Sequence, residues 1–131
     1  MEDFVTYDQA IKLKELGFDL KCNHLYSIEN PNNIIRTSHY HNEAVITDTI
    51  LAPTLSQAQK WLREVKGVKV YIKPLFSSEE YECWISFKFQ GYGSDEDYGI
   101  KKTWESALSI GIDEAIKIIK KEEQRNKRWY E

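Results

Sequence analysis

From Tyr81 to Gln90 the chain alternates without a break, and no other stretch narrows the possible folds as much. Cys83, Ile85, Phe87 and Phe89 share one face, and Glu82, Trp84, Ser86, Lys88 and Gln90 share the other. Successive side chains of a strand point to opposite sides, so this period of two describes an extended segment buried on one face. Val68 to Lys73 alternates in the same way, with Phe76-Ser77-Ser78-Glu79 between the two as a hairpin turn. Pairing Ile72 with Cys83 sets Val70 against Ile85 and Val68 against Phe87, a continuous apolar face. The same register sets Tyr71 against Trp84 on the opposite face. An apolar sheet face requires a cover, and the rest of the chain supplies helices to provide it.

The clearest helix spans residues 52–67. Thr54 and Gln57 stand at capping-box spacing, in which each side chain satisfies an orphan backbone group of the other residue. Leu55, Ala58, Trp61, Leu62 and Val65 follow the i, i+3, i+4, i+7 rhythm of a buried stripe, and Gly67 permits the left-handed turn that ends many helices. Thr6 and Gln9 repeat the start signal for a first helix with Tyr7, Ala10, Ile11, Leu13 and Leu16 inward and Gly17 as its stop. A third helix starts at Thr103 and runs to about Lys121, with Gly111 inside it as a site of kinking or close packing, and residues 122–131 as a charged, frayed tail.

Between the first two helices, Leu20 to Ser27 reads as a strand and Asn30-Pro31-Asn32-Asn33 as a turn, since proline presets φ and asparagine side chains bond their own backbone. Ile34 to Arg36 and Ala44 to Thr47 are short strand candidates separated by Ser38-His39-Tyr40-His41-Asn42. Gly91 to Gly99 reads as an acidic, glycine-rich loop. The expected architecture is α+β, a mainly antiparallel sheet of about four to five strands with three helices packed on one face, in the order α-ββ-α-ββ-α. The three helix starts each read Thr, large apolar, polar, polar, Ala, and Cys22 follows Ala10 at the spacing by which Val70 follows Ala58. Such self-similarity marks stacked units, or reflects only that threonine caps and small inward residues suit any helix on a sheet.

The 131 residues fit one domain, long enough to bury a core without disulfides or metals. With 18 Lys+Arg against 21 Asp+Glu the net charge is −3, which argues against a general nucleic-acid or membrane-surface binder. No export signal or membrane-length apolar run is visible, so the expected location is the cytoplasm, with Cys22 and Cys83 as reduced core thiols.

Three constellations carry possible chemistry. Cys22 and His24 form one i, i+2 pair, and His39 and His41 another. If 30–33 is the turn of a regular hairpin, His24 meets His39 and Cys22 meets His41, a thiolate and three imidazoles within reach of one zinc ion. The alternative is a core thiol with His39 and His41 in an exposed loop. Tyr71 and Trp84, flanked by Lys69, Lys73 and Lys88, form an aromatic pair ringed by lysines, suited to a partner protein or to the weak stacking of a nucleic-acid base. Its bland counterpart is an ordinary cross-strand pair. Asp95, Glu96 and Asp97 could hold a cation, though without the ligand spacing of a calcium loop. No phosphate loop, nucleophile elbow or spaced carboxylate pair is present, so no catalytic residue is marked and an enzyme is not expected.

Phe4-Val5-Thr6-Tyr7-Asp8-Gln9-Ala10 with Leu13-Lys14-Glu15-Leu16-Gly17-Phe18, Ala52-Pro53-Thr54 through Trp61-Leu62-Arg63-Glu64, and Thr103-Trp104-Glu105-Ser106-Ala107-Leu108 resemble a group of small uncharacterised proteins. The group is carried by phages, mobile elements and genomes of gut anaerobes, and the last of these segments is similar to its final helix. The resemblance implies no activity; it implies an accessory protein acting through binding, with an unknown protein partner or by self-association.

Overall fold

The structure is a computed structural model that describes residues 3–29, 31–41, 49–89 and 92–130. The expected strand at Ala44–Thr47 lies outside the described residues, as do Asn30, Asn42, Gln90 and Gly91. In order, the elements are α1 (Tyr7–Glu15), β1 (Cys22–Ser27), β2 (Ile34–His41), β3 (Thr49–Leu51), α2 (Leu55–Val65), β4 (Val68–Pro74), β5 (Tyr81–Phe89), β6 (Tyr92–Lys101) and α3 (Trp104–Tyr130). Among the described residues the fold is α+β with three helices, but in place of one sheet there are two three-stranded antiparallel sheets, ordered β2-β1-β3 and β4-β5-β6. The chain divides into two compact units, Met1–Ala58 and Gln59–Glu131.

In the first unit, α1 starts where expected: Gln9 N donates to Thr6 Oγ1 at 3.1 Å, and Thr6 N donates to Gln9 Oε1 at 2.8 Å. Thr54 and Gln57 repeat the box at the same two distances. The two starts are joined by backbone. Phe4 bridges to Thr54, Val5 N donates to Pro53 O at 3.1 Å, and Leu55 N donates to Asp3 O at 2.9 Å. Tyr26 on β1 reaches the same place, its buried hydroxyl donating to the Val5 carbonyl. Ala10, Leu13, Leu16, Phe18, Leu25, Tyr26, Ile50 and Leu51 are buried in this unit.

In the second unit the register is the one the alternation demands, from Val68↔Phe87 through Tyr71↔Trp84 to Pro74↔Tyr81. Residues 91–99 depart from expectation: most of this glycine-rich acidic stretch is strand, pairing Trp84↔Asp97, Ser86↔Asp95 and Lys88↔Gly93. It is an edge strand, and charge is what edge strands carry to discourage pairing with other chains. On the opposite edge, Gln59 Nε2 donates to the Val70 carbonyl at 2.7 Å, occupying an outward backbone acceptor of β4.

Helix α3 covers the apolar face. Ala107, Leu108, Ile112, Ala115, Ile116 and Ile119 are its buried row, and Val68, Val70, Cys83 and Ile85 are their counterparts on the sheet. Gly111 lies where the two layers come closest; a Cβ there would stand 2.4 Å from Val70 Cγ1 and 2.7 Å from Cys83 Sγ. Close packing, one of the two alternatives expected for this glycine, explains its place. The helix runs on to Tyr130, well past Lys121, and within the charged tail Arg125 and Glu122 form an i, i+3 pair at 3.5 Å that supports it.

One inward assignment is corrected. Val65 is 58% exposed, since its neighbours at the end of α2 face solvent, while Leu55, Ala58, Trp61 and Leu62 are buried as read. Gln9 is buried although polar, because its amide is held in the capping box.

Candidate binding face

On the face of β4-β5-β6 turned away from α3, Lys69, Tyr71, Lys73, Lys88, Asp95 and Asp97 are all exposed, and Trp84 on the central strand is half-buried. Tyr71 and Trp84 stack with ring centroids 6.4 Å apart and an interplanar angle of 15°. Each ring is also anchored. Tyr71 Oη donates to Asp95 Oδ1 at 2.7 Å, and Trp84 Nε1 donates to Glu82 on the same strand. The Asp95 carboxylate, by accepting that bond, holds the Tyr71 phenol above its ordinary range. An aromatic pair fixed in this way loses little rotamer freedom on binding.

The expected ring of lysines is only half of the charge pattern. Lys69 and Lys73 line β4, but Asp95 and Asp97 line β6, and β5 carries Glu82 near one end and Lys88 near the other. Asp95 and Asp97 join this face because residues 92–101 form a strand in place of the expected loop. The pairing also separates the three acidic residues proposed to hold a cation. Asp95 and Asp97 lie on the outer face, whereas Glu96, opposite Ile85, lies on the face toward α3.

The histidine constellation is partly assembled. Cys22 pairs with His41 as expected, but His24 pairs with Arg36, not with His39. The register shifts between Cys22 and His24, so residues 37–40 of β2 stand against Asn23 alone and His39 falls within that extra length. His24 is turned to other partners: its ring lies 4.6 Å from Phe4, and its Nδ1 is 2.8 Å from Asn23 Oδ1. Cys22 is 1% exposed, its thiol donating to the Leu20 carbonyl at 3.4 Å, and burial pushes that thiol up to about 11. A metal ligand must give up that proton. Among the described residues, no three His, Cys, Asp or Glu side chains gather as a metal site, and the side chains of His39 and His41 lie outside the description.

No described helix is long and apolar enough to cross a membrane. No family model, curated protein or solved structure matches the chain.

Proposed function

We propose that this protein is a small, non-enzymatic accessory module that acts in the cytoplasm by binding another protein through the outer face of β4-β5-β6. The observation that supports this is the Tyr71–Trp84 stack, anchored at both rings and left on a solvent face. Interface hot spots are enriched in tyrosine and tryptophan because large, rigid rings bury much area at little entropic cost. Lys69, Lys73 and Lys88 with Glu82, Asp95 and Asp97 would form the polar rim around that centre. An accessory role also fits the helix-start resemblance to proteins of phages and mobile elements. The balance of charge favours a protein partner over nucleic acid, whose phosphates would meet the aspartates as well as the lysines.

The test is the double variant Tyr71→Ser/Trp84→Ser in the full chain, with circular dichroism as the control for folding. Partner capture and oligomer size are both expected to fall, by about tenfold or more in affinity for loss of two central aromatics. No change in either would remove this face from consideration. Salt-sensitive binding of the wild type to single-stranded or duplex oligonucleotides would favour the nucleic-acid reading instead.

A further inference from the structure

We infer that the protein this face receives is a second copy of the same chain. The inference rests on the binding-face reading above and adds the partner's identity. Its ground is the way charge is laid out across the strands. Lysines stand on one edge (Lys69, Lys73), carboxylates on the other (Asp95, Asp97), and the aromatic pair lies toward the middle. A face of this kind is complementary to itself. A two-fold axis running along β5 lays β4 of each copy over β6 of the other, and in an isologous contact each pairing occurs twice.

The register gives the level of each residue along the strands. Lys69 is level with Ser86, and Ser86 with Asp95, so Lys69 of one copy stands over Asp95 of the other. Tyr71, Trp84 and Asp97 share the next level, which brings Trp84 to the axis against its own counterpart and Tyr71 over the opposite Asp97. Packed sheets lie about 10 Å apart, a gap that a long lysine and a short aspartate fill together. Glu82 and Lys88 would meet like charges on the axis strand, but both sit toward the ends of β5. The roughly 30° between aligned sheets carries strand ends off the axis.

Other occupants fit less well. A uniformly acidic partner would confront Asp95 and Asp97, and a uniformly basic one would confront Lys69 and Lys73, whereas a second copy sets Lys69 against Asp95 twice and leaves Lys73, level with Glu82, over the opposite Ile100. The face measures roughly 30 by 14 Å, from nine residues of β5 and three strand widths. That is below the roughly 800 Å² per partner of a standard interface, so the dimer is expected to be weak, reversible and salt-sensitive.

Sedimentation equilibrium on the full chain tests this, with Lys69→Glu/Lys73→Glu as one variant and Asp95→Lys/Asp97→Lys as the other. All four positions are exposed, and circular dichroism checks that both variants fold. The wild type should dimerise in the micromolar range at low salt, and each variant alone should lose at least about tenfold in self-affinity. An equimolar mixture of the two, one face now acidic and the other basic, should restore the dimer. A wild type that stays monomeric to about 1 mM, or a mixture that stays monomeric, overturns the inference. If in that case Tyr71→Ser/Trp84→Ser still abolishes capture of a different protein, the binding face stands and only its partner is wrong. A wild-type dimer indifferent to all these substitutions overturns the inference, and overturns the binding face as well if capture of a different protein is equally indifferent to Tyr71→Ser/Trp84→Ser.

Discussion

Gly111 on α3 and Val70 on β4 approach so closely that a Cβ on the glycine would lie 2.4 Å from Val70 Cγ1. Two effects therefore oppose each other at this position. Alanine would favour the helix by about 1 kcal/mol on propensity. Overpacking against Val70 and Cys83 costs roughly 1–3 kcal/mol. Packing should prevail, since both obstructing atoms belong to buried side chains of the sheet. Urea unfolding of Gly111→Ala is expected to show a net loss of up to about 2 kcal/mol, and Val70→Ala in the same chain should recover part of it. A Gly111→Ala protein more stable than the parent would contradict the close approach.

The two thiols make a pH prediction. Burial pushes both Cys22 and Cys83 up to about 11, with the carboxylates of Asp97 and Glu114 adding to the effect at Cys83. Both groups hold their protons more tightly folded than unfolded. Their contribution to stability is complete below about pH 9, the ordinary thiol value, and is lost as the pH rises toward 11. Tyr26 and Tyr98, raised chiefly by burial, act in the same direction at the alkaline end. Thermal melts should show a midpoint that falls steeply above pH 9. Alkylation at pH 8 should be at least about a hundredfold slower in the folded chain than in urea, since only the thiolate reacts. Rapid alkylation of native protein would show that the thiols are not held as described.

Tyr26→Phe isolates one hydrogen bond. The Tyr26 hydroxyl donates to the carbonyl of Val5, a residue with 0% exposure, and removing the donor leaves that acceptor without its buried partner. A loss of about 1–3 kcal/mol is expected from equilibrium unfolding. Because Val5 N also bonds Pro53, the amides of residues 5 and 55 should lose hydrogen-exchange protection before those of β4 and β5. Uniform loss across the chain would argue that Tyr26 does not act locally.

How much of this was legible in the sequence depended on which signal each element carried. The β4–β5 register followed residue by residue from alternation, because a one-residue slip would have turned Val70 and Ile85 toward solvent. The capping boxes at Thr6 and Thr54 were equally plain, since their chemistry is local. β6 was not. Gly93, Asp95, Asp97 and Gly99 are poor strand formers, and only its neighbour β5 makes the segment extended. The aspartates of that strand belong to the outer sheet face, so what reads as a ring of lysines carries charge of both signs. Cys22 meets His41 as expected, but the His24–His39 pairing failed for a related reason: equal spacing from a turn holds only for a regular hairpin, and β2 carries extra residues. The suspected repeat is confined to the helix starts. The strand that follows α1 is central in its sheet, whereas the strand that follows α2 is at an edge, so the two halves are not wound alike.

That difference in winding has a kinetic consequence. β4, β5 and β6 follow one another as hairpins, so each pairing closes a short loop and can form as soon as its residues exist. The first unit is closed by Asp3, Phe4 and Val5 against Pro53, Thr54 and Leu55, contacts that span about fifty residues of chain. On a ribosome, the amino-terminal half emerges first yet must wait for the start of α2 before its ends can meet. The later half carries the local pairings and should be the faster to fold once released.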